Sequence, residues 1–157
     1  MPQITLKIIG GKEFKRALDN SPQIAGDELS EALNSTASKV QLFARQYAPN
    51  RTGALARSIG KVSATVRKLL AVVGTNLFYA PYQEFGTGIY VGKGYIYPKR
   101  AKMLRFKLRG GRVVYARRVK GSPPTKFMQR AKQDGEVTWR VESKRALENI
   151  THRLATE

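Results

Sequence analysis

An amphipathic pattern between Asp27 and Ala48 constrains the fold more than any other feature of this 157-residue chain. Apolar or small side chains recur there at steps of three and four residues, which is typical of a helix with one buried face. We expect Asp27 and Glu28 at its N-terminal end, Arg45 at its C-terminal end, and Pro49 just beyond it. The predicted buried stripe consists of Leu29, Leu33, Thr36, Ala37, Val40, Phe43, Ala44 and Tyr47. Such a stripe needs a covering layer, and we expect a sheet.

Three short segments predict that sheet. Residues 4–9 place isoleucine and leucine on alternate positions and are predicted to form a strand. The Val-rich segments 61–67 and 69–75 are predicted to form two antiparallel strands that turn near Arg67 and Lys68.

Several shorter helical pieces are also predicted. Residues 12–20 have apolar side chains at helical spacing, and residues 54–59 predict one helical turn that Thr52 caps. Residues 79–85 form a short helical or irregular piece, which the Gly-Thr-Gly sequence of residues 86–88 ends.

The C-terminal part predicts a helix over residues 126–133 and 136–155, with a bend or interruption at Asp134-Gly135. Pro124 is well placed to start it. The predicted buried residues are Phe127, Ala131, Val137, Val141, Leu147, Ile150 and Leu154.

A β-hairpin is predicted between Leu104 and Val119, because apolar and basic residues alternate there and Gly110-Gly111 fits a two-residue turn. Counted from that turn, Phe106 faces Tyr115, Leu108 faces Val113, Lys107 faces Val114 and Arg105 faces Ala116. One face would be apolar and the other basic. A two-stranded ribbon of this kind is marginal alone and needs support from its own domain or a neighbouring subunit.

Together these elements predict an α+β fold in which a small antiparallel sheet packs against a long amphipathic helix and a C-terminal helix, with a projecting basic β-hairpin. We expect one domain over residues 1–157, carrying the hairpin as an insertion at about residues 88–123.

Positive charge is concentrated in the middle of the chain. The net charge is +18, and residues 91–120 contain eleven Lys or Arg residues and no Asp or Glu. Such a segment contacts a polyanion or an acidic protein, or lies well spaced in solvent. The candidate contacts for DNA or an acidic partner are Arg105, Lys107, Arg109, Arg112, Arg117 and Arg118.

The residues for common catalytic and metal sites are scarce. The chain has no cysteine, and its single histidine, His152, lies in a charged helical context. The sequence GTGIYVGKG has the wrong spacing for a phosphate-binding P-loop and lacks the Ser or Thr after the lysine. We therefore predict no enzyme activity, no cofactor and no metal site. The apolar runs are too short for a signal peptide or a membrane span, so we expect a soluble product without a membrane partner.

Glu84 is the only carboxylate between Val40 and Gln133. It has two interpretations: an internal ion pair or cap with an arginine such as Arg51 or Arg57, or a contact between subunits.

Three segments in order, RTGALARSI, YAPYQEFGTG and PPTKFMQRA, resemble the neck or tail-completion proteins of lambda-like long-tailed bacteriophages. The resemblance covers about residues 49–131 and departs at Lys126, where the family usually has proline. It implies a non-enzymatic virion protein, made in the host cytoplasm, that forms a ring at the head–tail joint around the DNA channel. Six subunits are preferred and twelve are possible, with other neck, connector and tail proteins as neighbours. The residues implied in subunit or partner contact are Arg51, Tyr79, Glu84, Phe85, Thr87 and Phe127.

Two other functions stay open. A free, sequence-nonspecific nucleic-acid-binding protein would also explain the central charge. A nuclease would need acidic metal ligands, which the central region lacks.

Overall fold

The computed structural model describes residues 3–5, 22–108 and 110–156. These divide into two compact units, one made of the described residues of Met1–Leu77 and Phe127–Glu157, the other of Phe78–Lys126. We call them the helical unit and the basic unit. The α+β class predicted from the sequence is confirmed. The predicted helix over residues 12–20 and most of the strand over residues 4–9 lie outside the described residues.

Two long helices dominate the helical unit: α1 (Pro22–Tyr47) and the C-terminal helix α4 (Phe127–Thr156). Helix α1 begins earlier than predicted, because proline fits the first turn of a helix, where its missing N–H is not needed. Asp27 and Glu28 therefore lie beyond the first turn, which contains no acidic residue. The expectation that they stabilise the N-terminal end was wrong, whereas Arg45 does lie in the last turn.

Most of the predicted stripe of α1 is buried, although Phe43 and Tyr47 are only half-buried. The main covering layer is α4. Strands β2 (Gly60–Val62) and β3 (Val72–Gly74) and the short helix α2 (Ala54–Ser58) make smaller contacts. The expectation that a sheet is the main cover of the stripe was therefore wrong, because the main cover is a helix. Both helices carry small residues on their buried sides, including Ala32 and Ala37 on α1 and Ala131 and Ala146 on α4.

Helix α4 is continuous through Asp134-Gly135, so the predicted interruption is wrong. Gly135 is buried, and a Cβ added there would clash with Cγ2 of Val40. The glycine therefore permits the close approach of α1 and α4, and it does not interrupt α4.

The buried side of α4 also differs from the prediction. Phe127, Ala131 and Ile150 are buried as predicted, but Val137, Val141 and Leu147 are exposed. The side chain of Leu154 lies outside the described residues. The buried residues of α4 are Phe127, Met128, Ala131, Gly135, Ala146 and Ile150. Three of these residues, Ala131, Gly135 and Ala146, are small, and at Gly135 no larger side chain fits beside Val40.

A three-stranded antiparallel sheet completes the helical unit, in the order β1 (Gln3–Thr5), β3 (Val72–Gly74), β2 (Gly60–Val62). Strands β2 and β3 pair with Lys61 opposite Val73. The predicted pairing is confirmed. The turn lies at Val66-Arg67, one residue before the predicted position, since the backbone groups of Thr65 and Lys68 exchange hydrogen bonds of 3.0 and 2.9 Å.

Helix α2 (Ala54–Ser58) and the chain after β2 are tied to α1 by side chains. The cap of α2 is Gly53, not Thr52 as predicted, and the Thr52 hydroxyl accepts only a long hydrogen bond of 3.4 Å from the Ala54 N–H. Asn34 of α1 pairs with the backbone of Ala64, accepting at 2.7 Å and donating at 3.0 Å.

The basic unit contains helix α3 (Ala80–Phe85), a 3₁₀ helix (Gly88–Val91) and a hairpin of β4 (Leu104–Lys107) and β5 (Val113–Ala116). The predicted short helix and the break after it are confirmed. The predicted hairpin is also present.

The predicted hairpin register was wrong by one residue. Leu104 pairs with Ala116, Arg105 with Tyr115, Phe106 with Val114, and Lys107 with Val113. Instead of a two-residue turn, Gly111 donates a 3.0 Å hydrogen bond to the Leu108 carbonyl and Leu108 donates one of 2.8 Å to the Arg112 carbonyl. This is a three-residue loop with a bulge, and the positive φ of 89° at Gly111 permits it. The shift turns Tyr115 and Val113 to the opposite face from the one predicted.

Candidate functional site

Residues 83–89, which include the end of helix α3, lie beside residues 119–126. Backbone hydrogen bonds join the two. Thr87 donates to the Ser122 carbonyl at 2.9 Å, and Ile89 donates to the Lys120 carbonyl at 3.0 Å. The Thr125 N–H and hydroxyl both donate to the Gln83 carbonyl, at 2.9 and 2.8 Å. We call this arrangement the junction; it fixes the two ends of the long insertion against each other.

Gly88 and Gly121 allow the two segments of the junction to come this close. Gly88 has a φ of 64°, and a Cβ there would clash with the Lys120 carbonyl. Gly121 has a φ of 94°, and a Cβ there would clash with the Thr87 carbonyl. Both backbone conformation and space therefore require glycine at these positions.

The sequence-predicted contact residues occupy different environments. Glu84 is buried, and its carbonyl accepts a 3.2 Å hydrogen bond from the Lys126 N–H. Thr87 is half-buried and accepts a 2.8 Å hydrogen bond from Ser122 N–H through its hydroxyl. Phe127 is fully buried, so its packing role is in the helical unit. Tyr79 is half-buried, whereas Arg51 and Phe85 are exposed. Their roles in partner contact stay predictions.

An exposed aromatic row lies along α3 and the residue just before its cap. Phe78, Tyr82 and Phe85 recur at steps of four and three residues and are 83%, 56% and 60% exposed. We call these three residues the aromatic row. Of these three, only Phe85 was predicted as a contact residue. The spacing of four and three residues indicates that the three rings lie on one side of a helix. It does not indicate that this side is exposed.

The hairpin of the basic unit has one half-buried face and one open face. Leu104, Val114 and Ala116 are half-buried, and Phe106 on the same face is 38% exposed. Arg105, Lys107, Val113 and Tyr115 are exposed on the other face. We call these four residues the open face. Arg112 and Arg117 are also exposed, whereas Arg109 lies outside the described residues.

Arg118 takes part in an aromatic cluster. Its guanidinium carbon lies 4.4 Å from the centroid of the Tyr95 ring, a cation–π geometry. A hydrogen bond with the Tyr97 side chain raises the pKa of Arg118 above its ordinary value. Part of the surface of the Arg118 guanidinium is therefore already engaged within the unit.

A polar groove between α1 and α4 contains carboxylates that hold the two helices together. Glu28 accepts hydrogen bonds from Asn149 at 2.9 Å and Arg153 at 3.1 Å, and these lower its pKa. Glu142 accepts hydrogen bonds from Lys39 at 3.1 Å and Ser35 at 3.0 Å, which lower its pKa. Because these groups prefer the charged form, they suit structural pairing better than proton transfer near neutral pH.

The described residues contain no group of three or more His, Cys, Asp or Glu side chains placed to hold a metal ion. In the same part of the chain, no helix is both long and apolar enough to cross a membrane. The aromatic row and the open face of the hairpin each bring exposed aromatic or basic side chains together on one surface.

Comparison with curated proteins and with solved structures returned no match. A family model does match, and it covers the RTGALARSI segment and most of YAPYQEFGTG, but not PPTKFMQRA. Over residues 12–86, just under half of its length, the chain matches the HK97-gp10-like family, described as "Bacteriophage HK97-gp10, putative tail-component", which supports its place in a phage neck or tail family.

Proposed function

We propose that this protein is a non-enzymatic structural subunit of the phage neck or tail, acting in tail completion or head–tail joining. In this proposal it forms a homo-oligomeric ring around the DNA channel, with six subunits preferred and twelve possible. Other neck, connector and tail proteins lie above and below it in the virion.

The aromatic row carries the proposal of an oligomer. Three large rings exposed along one helix are costly to leave in water, and aromatic residues are enriched in the cores of protein interfaces. The row also overlaps the part of the chain that matches the phage tail family. A contact from this row to a different patch of the next copy would be head-to-tail, which is the kind of interface that closes into rings.

The charge of the basic unit supports a position beside DNA. The unit contains twelve Lys or Arg residues and one acidic residue, Glu84, which is buried. Exposed cations of this density suit phosphate contacts that carry no sequence preference.

Removal of the aromatic row tests the ring. We expect Phe78→Ser combined with Phe85→Ser to shift the protein from a ring to a monomer in native mass spectrometry. Head–tail joining in phage particles carrying the variant should be lost as well. The matched control is Leu42→Ser, which removes a side chain that is 53% exposed on α1 of the helical unit.

The ring proposal fails if the natural protein is a strict monomer that is absent from purified particles. It also fails if the aromatic variant assembles as well as the Leu42 control. Thermal melting of each variant separates lost assembly from lost folding.

The alternative function is a free, sequence-nonspecific nucleic-acid-binding protein, which the exposed cations of the basic unit favour. It predicts duplex DNA binding by a monomer, weakening steeply as salt rises. Detection of the protein in infected-cell lysate but not in virions would favour this alternative over the ring.

A further inference from the structure

The observed register places an aromatic ring inside the basic surface of the hairpin. Tyr115 of β5 lies directly opposite Arg105 of β4 on the open face, and Lys107 lies two residues after Arg105 on β4. Tyr115 is 61% exposed. This surface is therefore a set of cations with a ring between them, whereas the predicted register would place Val114 and Ala116 beside the same cations.

The pairing geometry brings the Tyr115 ring and the Arg105 side chain together. Leu108 and Arg112 form a hydrogen-bonded pair, since Leu108 donates to the Arg112 carbonyl at 2.8 Å. Hydrogen-bonded and non-hydrogen-bonded pairs alternate along an antiparallel ladder, so Lys107–Val113 and Arg105–Tyr115 are of the second kind. In such pairs the opposing side chains are closest, with Cβ atoms about 4.5–5.5 Å apart.

A ring flanked by cations distinguishes two forms of DNA. In a duplex the base faces are stacked on each other, so a surface of this kind meets only phosphates. In a single strand the base faces are available, and an exposed ring can stack on a base while neighbouring cations contact the backbone.

We propose that the open face of the hairpin binds single-stranded DNA, with the Tyr115 ring stacking on a base and Arg105 and Lys107 contacting the adjacent phosphates. This deepens the DNA contact of the proposed function and rests on it. The ligand class is an unpaired stretch of DNA without sequence preference, because every base offers a ring face.

The test compares single-stranded and duplex DNA on the full-length protein by fluorescence anisotropy at low salt. The probes are an oligothymidylate of about 16 nucleotides, which matches the upper site sizes of stacking proteins, and a duplex of the same length. We expect Tyr115→Ala to weaken single-strand binding by roughly 5- to 150-fold while duplex binding changes little. Tyr115→Phe keeps the ring and should bind like the natural protein.

Two further variants separate stacking from charge. Val62→Ala alters a valine that is 66% exposed on β2, in the helical unit, and should leave binding to both probes unchanged. Arg105→Ala combined with Lys107→Ala should weaken binding to both probes. Circular dichroism melting confirms that each variant is folded.

Unchanged single-strand binding by Tyr115→Ala overturns the stacking proposal, as does an equal loss for the two probes. Neither result decides the DNA contact of the proposed function, because duplex binding by the natural protein measures that contact separately. Binding to polyglutamate without binding to either DNA overturns both, and assigns the open face to an acidic protein.

Discussion

Lys126 shows how one residue departs from the pattern of the resembled family for a structural reason. Its φ is 52°, which is the only positive value among the described non-glycine residues. Its N–H donates to the Glu84 carbonyl at 3.2 Å. Proline, which the resembled proteins usually have here, holds φ near −65° and has no N–H. The backbone before α4 therefore takes a path in this chain that proline could not follow.

Substitutions at Lys126 test this backbone conformation. Lys126→Gly should raise the free energy of unfolding by about 1 kcal/mol, because glycine adopts positive φ without steric cost. Lys126→Pro should lower it by about 3 kcal/mol, since it forbids the observed φ and removes a hydrogen-bond donor. Urea denaturation followed by circular dichroism measures both changes.

The control for Lys126 is alanine, which removes the exposed side chain and retains the backbone constraint. Its effect should be within about 0.5 kcal/mol. A proline variant as stable as the natural protein would show that the left-handed conformation at this residue is not held in solution.

At the scale of elements, the contact between α1 and α4 depends on small residues that face each other. Gly135 lies against Val40, a fully buried residue whose branched side chain has few rotamers in a helix. Tyr47 adds a polar link by donating a 2.6 Å hydrogen bond to Asp134, while Arg130 lies 4.2 Å above the Tyr47 ring. The two helices are therefore matched in shape along this stretch.

In Gly135→Ala, the higher helix propensity of alanine favours stability, whereas the tighter packing against α1 opposes it. Alanine gains about 1 kcal/mol in an exposed helix, whereas overpacking a core costs about 1–3 kcal/mol. Because the added methyl group meets a stiff, buried valine, we expect overpacking to prevail, with a net loss of up to about 2 kcal/mol in the free energy of unfolding. Chemical denaturation measures it.

A double variant identifies the cause of that loss. Val40→Ala makes room, so the pair with Gly135→Ala should be more stable than the sum of the two single changes predicts. If Gly135→Ala alone stabilises the protein, α1 and α4 do not approach each other closely at Gly135 and Val40 in solution.

At the scale of the whole molecule, acid should weaken the link between α1 and α4. Hydrogen bonding, from Asn149 and Lys39 respectively, lowers the pKa of Glu28 and Glu142 below the ordinary value of 4.5. A lowered folded-state pKa contributes stability above the unfolded-state value and loses it as pH falls through the folded-state value. We therefore expect the melting temperature to be steady between pH 6 and 7 and to fall below about pH 4.5.

Variants locate the groups responsible for the acid effect. Glu28→Gln combined with Glu142→Gln should flatten the dependence of melting temperature on pH. Glu136→Gln is the control, because the Glu136–Lys132 pair is about half exposed and such pairs contribute little. An equal flattening by the control would assign the acid effect to general charge repulsion in a chain of net charge +18.

Much of the fold follows from the sequence, whereas the candidate site follows only in part. Periodicity located α1, the β2–β3 pair, α3 and the hairpin, and it identified the cations of the open face. It did not reveal that Phe78 and Tyr82 are exposed, or that Tyr115 shares a face with Arg105. Both depend on which surfaces receive a covering layer and on loop geometry around Gly111, which residue spacing does not encode.

Residue spacing is enough to predict which residues of a single helix or strand share a face, because the helix and strand periods are fixed by backbone geometry. Which of those faces is buried, and which faces of two strands coincide, depends on packing and loop geometry. On α4 the valines at 137 and 141 had the right spacing, yet the small residues Ala131 and Gly135 face α1, since close approach favours small side chains. In the hairpin, one extra loop residue reverses every facing position of β5, because strand side chains alternate with a period of two.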